Sequence, residues 1–215
     1  MTHYIASLTL LFLSHALLSW PQVRKKLVGF FPKPLFYTLY SAISLAALFA
    51  VIHSYQQFDD YIPLYEPVLA IRPWVVACMP IAFFFMFCRV SSPYPKTSVP
   101  YGIYRVSRFP GSVGIVLWAL LHLLSVGDTK RVLLFVCMII IAVFAMVKNT
   151  LQMKQSSPVL LKNTSIIPFL KMPKGISLIT FKEIGFVRII ASLALYGGAL
   201  LLHERLLGVN PLGGL

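Results

Sequence analysis

The sequence predicts an all-α fold, a polytopic membrane helix bundle with about six transmembrane helices, and three observations lead there. Hydrophobic residues make up 58% of the 215, charged residues 12%, and the mean hydropathy is +0.81. A soluble domain carries about 25% charge, so this chain has too little to cover a water-facing surface; a soluble enzyme and a disordered chain are both excluded. The apolar residues fall in runs near the roughly 20 residues that cross a bilayer. The basic excess, 19 Lys+Arg against 6 Asp+Glu, is spread between those runs. That placement fits anionic lipid and topology, and not nucleic acid.

Six runs qualify as spans: Thr2–Trp20, Leu35–Tyr55, Val68–Cys88, Gly111–Val126, Val132–Val147 and Ile184–His203. The third carries Arg72 and the sixth Arg188, each about one turn inside and within snorkelling reach. The fifth run is short, so Arg131 and Lys148 are expected to snorkel too. The first run lacks a basic leader and a small-residue cleavage site, and is read as a span and not a secretory signal. No repeat or linker divides the chain, which is taken as a single transmembrane domain over residues 1–215.

Charge alternates across the connections. Arg24, Lys25, Lys26 and Lys33 follow the first run, and Arg89, Lys96, Arg105 and Arg108 follow the third. Lys148, Lys154, Lys162, Lys171, Lys174 and Lys182 follow the fifth. The other side holds Arg72, Lys130, Arg131 and Arg205 with Asp59, Asp60, Glu66, Asp128 and Glu204. The positive-inside rule therefore puts both termini outside and the first, third and fifth loops in the cytoplasm. Two long inner loops are expected, Arg89–Pro110 and Lys148–Glu183, and within the second Ile166–Phe181 suits an interfacial segment. The sequon Asn163-Thr164-Ser165 falls on this inner side and is read as chance.

Chemistry in the spans rests on few residues. With no carboxylate inside the runs, neither a proton relay nor paired acid–base catalysis has members. Cys78, Cys88 and Cys137 lack a Cys-x-x-Cys spacing and read as plain buried thiols. Histidines remain. His3 and His53 read as interfacial, whereas His15, His122 and His203 are candidate metal or haem ligands, imidazole being costly in an apolar helix without a partner. Gly111, Ile115, Trp118, His122 and Ser125 form one helical stripe, and Gly111 with Gly114 would admit a neighbouring helix. Arg105 and Arg108, beside a helix opened by Pro110, suit an anionic group such as a haem propionate, a lipid head group or a phosphate.

Three stretches carry a family resemblance. They are Ser14-His15-Ala16 with the basic turn Arg24-Lys25-Lys26-Leu27; Gly102-Ile103-Tyr104-Arg105 through Arg108, Pro110 and Gly114 to Trp118, His122 and Gly127-Asp128; and Thr164-Ser165 through Glu183-Ile184-Gly185, Arg188 and His203. On these the chain resembles the NnrU family of bacterial inner-membrane proteins, named for a link to denitrification and similar to the plastid zeta-carotene isomerase, a haem b enzyme. The resemblance implies a haem b held by His15 and His122, an apolar small-molecule substrate, and a role in nitrogen-oxide metabolism or polyene isomerisation. The family's Arg-His-Pro stands here as Arg108-Phe109-Pro110, without its histidine.

Depth arithmetic leaves His122's partner open. His15 lies about 18 Å below His3, and His122 about 7–8 Å below the outer end of its run. His203, at the outer end of the sixth run, is therefore a rival partner. Two other classes stand behind this reading. One is a non-enzymatic membrane scaffold, carrier or accessory. The other is an enzyme like the isoprenylcysteine methyltransferases, ranked third because Lys148–Lys182 contains no acidic residue.

Overall fold

A computed structural model describes residues 1–58, 61–95, 97–172 and 178–213. Asp59, Asp60, Lys96 and Lys174, four of the charges used for topology, lie outside the described residues, as does 173–177 of the expected interfacial segment. The helices are α1 (Thr2–Ser19), α2 (Pro21–Phe30), α3 (Lys33–Gln56), α4 (Arg72–Ser91), α5 (Ile103–Val106), α6 (Pro110–Ser125), α7 (Thr129–Ser156), α8 (Pro158–Asn163), α9 (Leu178–Ile184) and α10 (Phe186–Leu207). Proline opens α2, α3, α4, α6 and α8 within the first turn, where its missing N–H is needed least. Asp128 caps α7 by accepting from the Arg131 N–H, and left-handed Gly208 closes α10.

The architecture is an all-α membrane bundle. Among the described helices, α1, α3, α4, α7 and α10 are long and apolar enough to cross a bilayer, whereas α6 has 16 residues. All six expected spans are helices, with corrected lengths. The fifth is not short: α7 runs 28 residues, through the apolar run and its polar sequel as far as Ser156. Much of the expected second loop is therefore helix, because nothing between Val147 and Ser156 breaks one. The third span starts at Arg72 and not Val68, because a short 3-10 turn, Leu69–Ile71, precedes Pro73. Arg72 thus opens its helix. The basic turn after α1 is itself a helix, α2, with no buried residue.

Packing runs α3, α1, α7, α6, α4, α10, each helix lying chiefly against the next. The closest seam joins α4 and α6. A Cβ on Gly114 would lie 2.8 Å from the Ala82 carbonyl oxygen and 2.9 Å from the Met86 nitrogen, so glycine here sets the approach the sequence anticipated. Pro80, inside α4, deprives the Val76 carbonyl of its helical donor, and the Tyr196 hydroxyl of α10 supplies one at 2.8 Å. That bond ties α10 to the bundle at the point where α4 would otherwise leave a polar atom unsatisfied in apolar surroundings.

The two ends are tied by polar contacts. At the end that carries the N-terminus, the outer end on the positive-inside expectation, Lys130 Nζ donates to the carbonyls of Tyr55 and Phe58, and the Tyr4 hydroxyl donates to the Lys130 carbonyl, joining α1, α3 and α7. The segment after α3 docks there as well, Leu64 N–H donating to Gly127 O at 2.8 Å. At the inner end, Lys148 reaches the Ser19 carbonyl, and Arg188 donates to the carbonyls of Ser91 and Ile184. These cations finish helix C-termini whose last carbonyls have no intrahelical donor.

Candidate functional site

The histidines separate by level. On α1, His15 Nδ1 lies 2.9 Å from the Leu11 carbonyl and the ring meets Tyr40 edge-on. On α6, His122 Nδ1 lies 2.8 Å from the Trp118 carbonyl, and on α10, His203 Nδ1 lies 2.7 Å from the Val209 carbonyl. A carbonyl only accepts, so Nδ1 carries the proton in each case and Nε2 keeps its lone pair. That is the tautomer a metal-ligating histidine adopts. His122 is further held between aromatic rings, stacked on Phe135 at 4.5 Å and tilted against Trp118 at 4.8 Å. One turn further on, Ser125 Oγ is buried without a hydrogen-bond partner. His3 and His53 are exposed, in keeping with interfacial positions.

Helix α7 serves as a ruler for depth. His122 stacks on its Phe135, while Phe12 on α1 and Trp20 just past its end, which bracket His15, both pack on its Phe144. Nine residues of helix put the two imidazoles about 13 Å apart along the axis. One iron would need both nitrogens within about 2 Å of itself, so His15 and His122 do not meet at a single metal in this arrangement. His203 lies about two turns past Tyr196, which packs with Trp118 and Leu121 against α4, so it stands at the same end of the bundle as His122.

At the inner end the Gly102–Gly111 motif is built around ion chemistry. Gly102, at φ +55°, turns its N–H onto Glu183 Oε2 at 2.8 Å, a conformation that disfavours any other residue. Arg105 grips the same carboxylate through Nε at 2.7 Å and Nη2 at 2.9 Å. The guanidinium, helped by the Gly102 N–H, holds the Glu183 carboxyl below the ordinary range, and the pair in turn raises Arg105. The anion that Arg105 holds is thus the chain's own.

Arg108 is buried, 8% exposed, and bonds the Thr164 hydroxyl and the Leu161 and Thr164 carbonyls. It has no carboxylate partner among the described residues, and burial lowers its pKa. The sequon threonine is therefore a structural partner of Arg108. The loop after α8 docks alongside, Arg108 N–H donating to Ser165 O at 2.7 Å and Ser107 Oγ to Ile166 O at 2.9 Å. From Pro110 to His122 is about 18 Å of helix. The arginine motif and the outer histidines are therefore two separate places, and neither arginine lies at the level of the His122 imidazole.

Residues 3–211 match the family model described as NnrU protein. The chain belongs to the NnrU family. No curated protein and no solved structure matches it. Within this NnrU-family chain, sequence reasoning missed Glu183 and Thr164 as parts of the inner site. One signal was available: of the six acidic residues, Glu183 alone falls on the basic, inner side. An isolated carboxylate among cations is the natural partner for one of them.

Proposed function

We propose that this NnrU-family protein resides in a bacterial inner membrane with both termini periplasmic, and holds one haem b in the outer half of its bundle. On this reading it serves nitrogen-oxide metabolism or the isomerisation of an apolar polyene. The observation that carries the proposal is the outer donor set. It comprises His122 with a free Nε2, fixed by the Trp118 carbonyl and the Phe135 ring, the unpartnered Ser125 hydroxyl beside it, and His203 at the same end. His122 is the proposed ligand and His203 its partner; His15, the partner implied by resemblance, lies too deep to share that iron. A bound haem would supply a redox-active, Lewis-acidic iron. The chain's part is to orient the imidazoles, with their Nδ1 protons held on carbonyls, and to exclude water through Trp118 and Phe135.

The test is the absorption spectrum of protein purified in detergent after expression with ample haem. A Soret band is expected in the wild type. It is expected to vanish in His122→Ala, to change from six- to five-coordinate in His203→Ala, and to persist unchanged in His15→Ala. A wild type without haem, or a spectrum indifferent to His122, overturns the proposal and favours a non-enzymatic scaffold or carrier.

A further inference from the structure

The inner ends of α4, α6 and α7 enclose a groove of about 820 Å³, within the range of small-ligand sites. Its polar wall includes Arg89, Arg108, Ser112, Asn149 and Gln152, and no carboxylate is among its lining residues. The cations there are not consumed by acidic neighbours. Glu183 is taken up by Arg105, which lies outside the groove, and Arg108 has only carbonyl and hydroxyl partners. Arg89 has no ion-pair partner among the described residues, while its aliphatic stem lies against Gly111, where a Cβ would come within 2.8 Å of Cγ. Glycine at that position lets the guanidinium stand beside the start of α6.

Two further observations point to a ligand. The first turn of α6 has no side-chain cap, so the N–H groups of Gly111 and Ser112 face the groove's end without an intrahelical acceptor. Tyr104 also lines the groove; it is 3% exposed, and its buried hydroxyl has no acceptor for its proton. The polar group that acts on it, the Arg89 guanidinium, can only donate. A buried hydroxyl proton is costly to leave without an acceptor. The rest of the lining, including Phe109, Ile115 and Met153, is apolar.

We infer that this groove binds the phosphate oxyanion of an inner-leaflet lipid, with Arg89, Arg108, the Tyr104 hydroxyl and the α6 N-terminus around the phosphate and the apolar wall against the start of the acyl chain. The shared chemistry is a phosphate oxyanion, and a free phosphate would satisfy the polar wall alone. The proposal is independent of haem.

The experiment is native mass spectrometry of the full chain in detergent, titrated with phosphatidic acid, phosphatidylglycerol, diacylglycerol or inorganic phosphate. One tightly held phosphatidic acid or phosphatidylglycerol per chain is expected. Arg89→Gln should weaken it about tenfold, the loss expected for one charge-assisted contact. Tyr104→Phe should weaken it less, and Lys26→Gln, an exposed inner-face cation outside the groove, should leave it unchanged. Displacement by inorganic phosphate alone would assign the site to a free phosphate compound and not a lipid, overturning the lipid assignment. Equal affinity in Arg89→Gln and Lys26→Gln would overturn the site, and a diacylglycerol held as tightly as phosphatidic acid would overturn the phosphate assignment. Gln152→Leu, on the α7 wall, gives a second reading should Arg89→Gln fail to fold; unaltered lipid binding there would count against the groove.

Discussion

Gly114 offers the sharpest test of how the bundle is held. An added methyl would sit 2.7 Å from Met86 Cγ, 2.8 Å from the Ala82 oxygen and 2.9 Å from the Met86 nitrogen. The sulfur-bearing side chain can swing away; the two backbone atoms cannot. Regaining an ordinary contact needs about 0.6 Å of separation between α4 and α6, which loosens dispersion contacts along the whole seam. Overpacking of this kind costs about 1–3 kcal/mol, partly offset by up to about 1 kcal/mol from alanine's better helix propensity. Gly197 on α10 provides the control, since a methyl added there would have nothing within 4 Å and only the propensity gain applies. Thermal unfolding in one detergent, followed by tryptophan fluorescence and by loss of monodisperse elution, should show Gly114→Ala destabilised by several degrees and Gly197→Ala unchanged or more stable. Equal melting of Gly114→Ala and wild type would refute the close-seam argument, and equal damage from both variants would reduce it to a generic glycine effect.

Two further outcomes are expected. Glu183→Gln should destabilise the inner end by about 1.5–3 kcal/mol, the range for hydrogen bonds to a charged group. Because Arg105 holds the Glu183 carboxyl below its usual 4.5, that stabilisation is complete above about pH 4.5 and disappears as pH falls through the lowered value. The melting difference between wild type and Glu183→Gln should therefore shrink on acidification, and a difference constant from pH 7 to pH 3 would exclude the ion pair as its source. For topology, single cysteines replacing Tyr61 and Asn163, both exposed, are expected to react with an impermeant reagent from outside and from inside respectively, once Cys78, Cys88 and Cys137 are removed. Labelling of position 163 in intact cells would overturn the orientation.

The sequence by itself determined the class of fold, the order of the apolar helices and the small-residue seam at Gly111 and Gly114, because each follows from local composition and from spacing along one helix. Helix ends were less legible. The polar stretch from Lys148 to Ser156 looks like a loop when only hydropathy is counted, yet its backbone has every reason to continue α7. The proline-opened α2 was hidden for the same reason.

Partnerships between distant residues were decided only by tertiary structure. Arg105 and Glu183 lie 78 positions apart and Tyr196 and Val76 lie 120 apart, so no periodicity links them. The site reading divided along the same line. The residue types single out His15, His122 and His203 as candidates but not their levels, because depth depends on how α1, α6 and α10 slide against α7 and α4. Packing set that slide. Phe12 and Trp20 seat on Phe144 while His122 seats on Phe135, and an apolar membrane interior, which cannot solvate a misplaced polar group, makes such side-chain contacts and the hydrogen bonds beside them the terms that fix one helix against another.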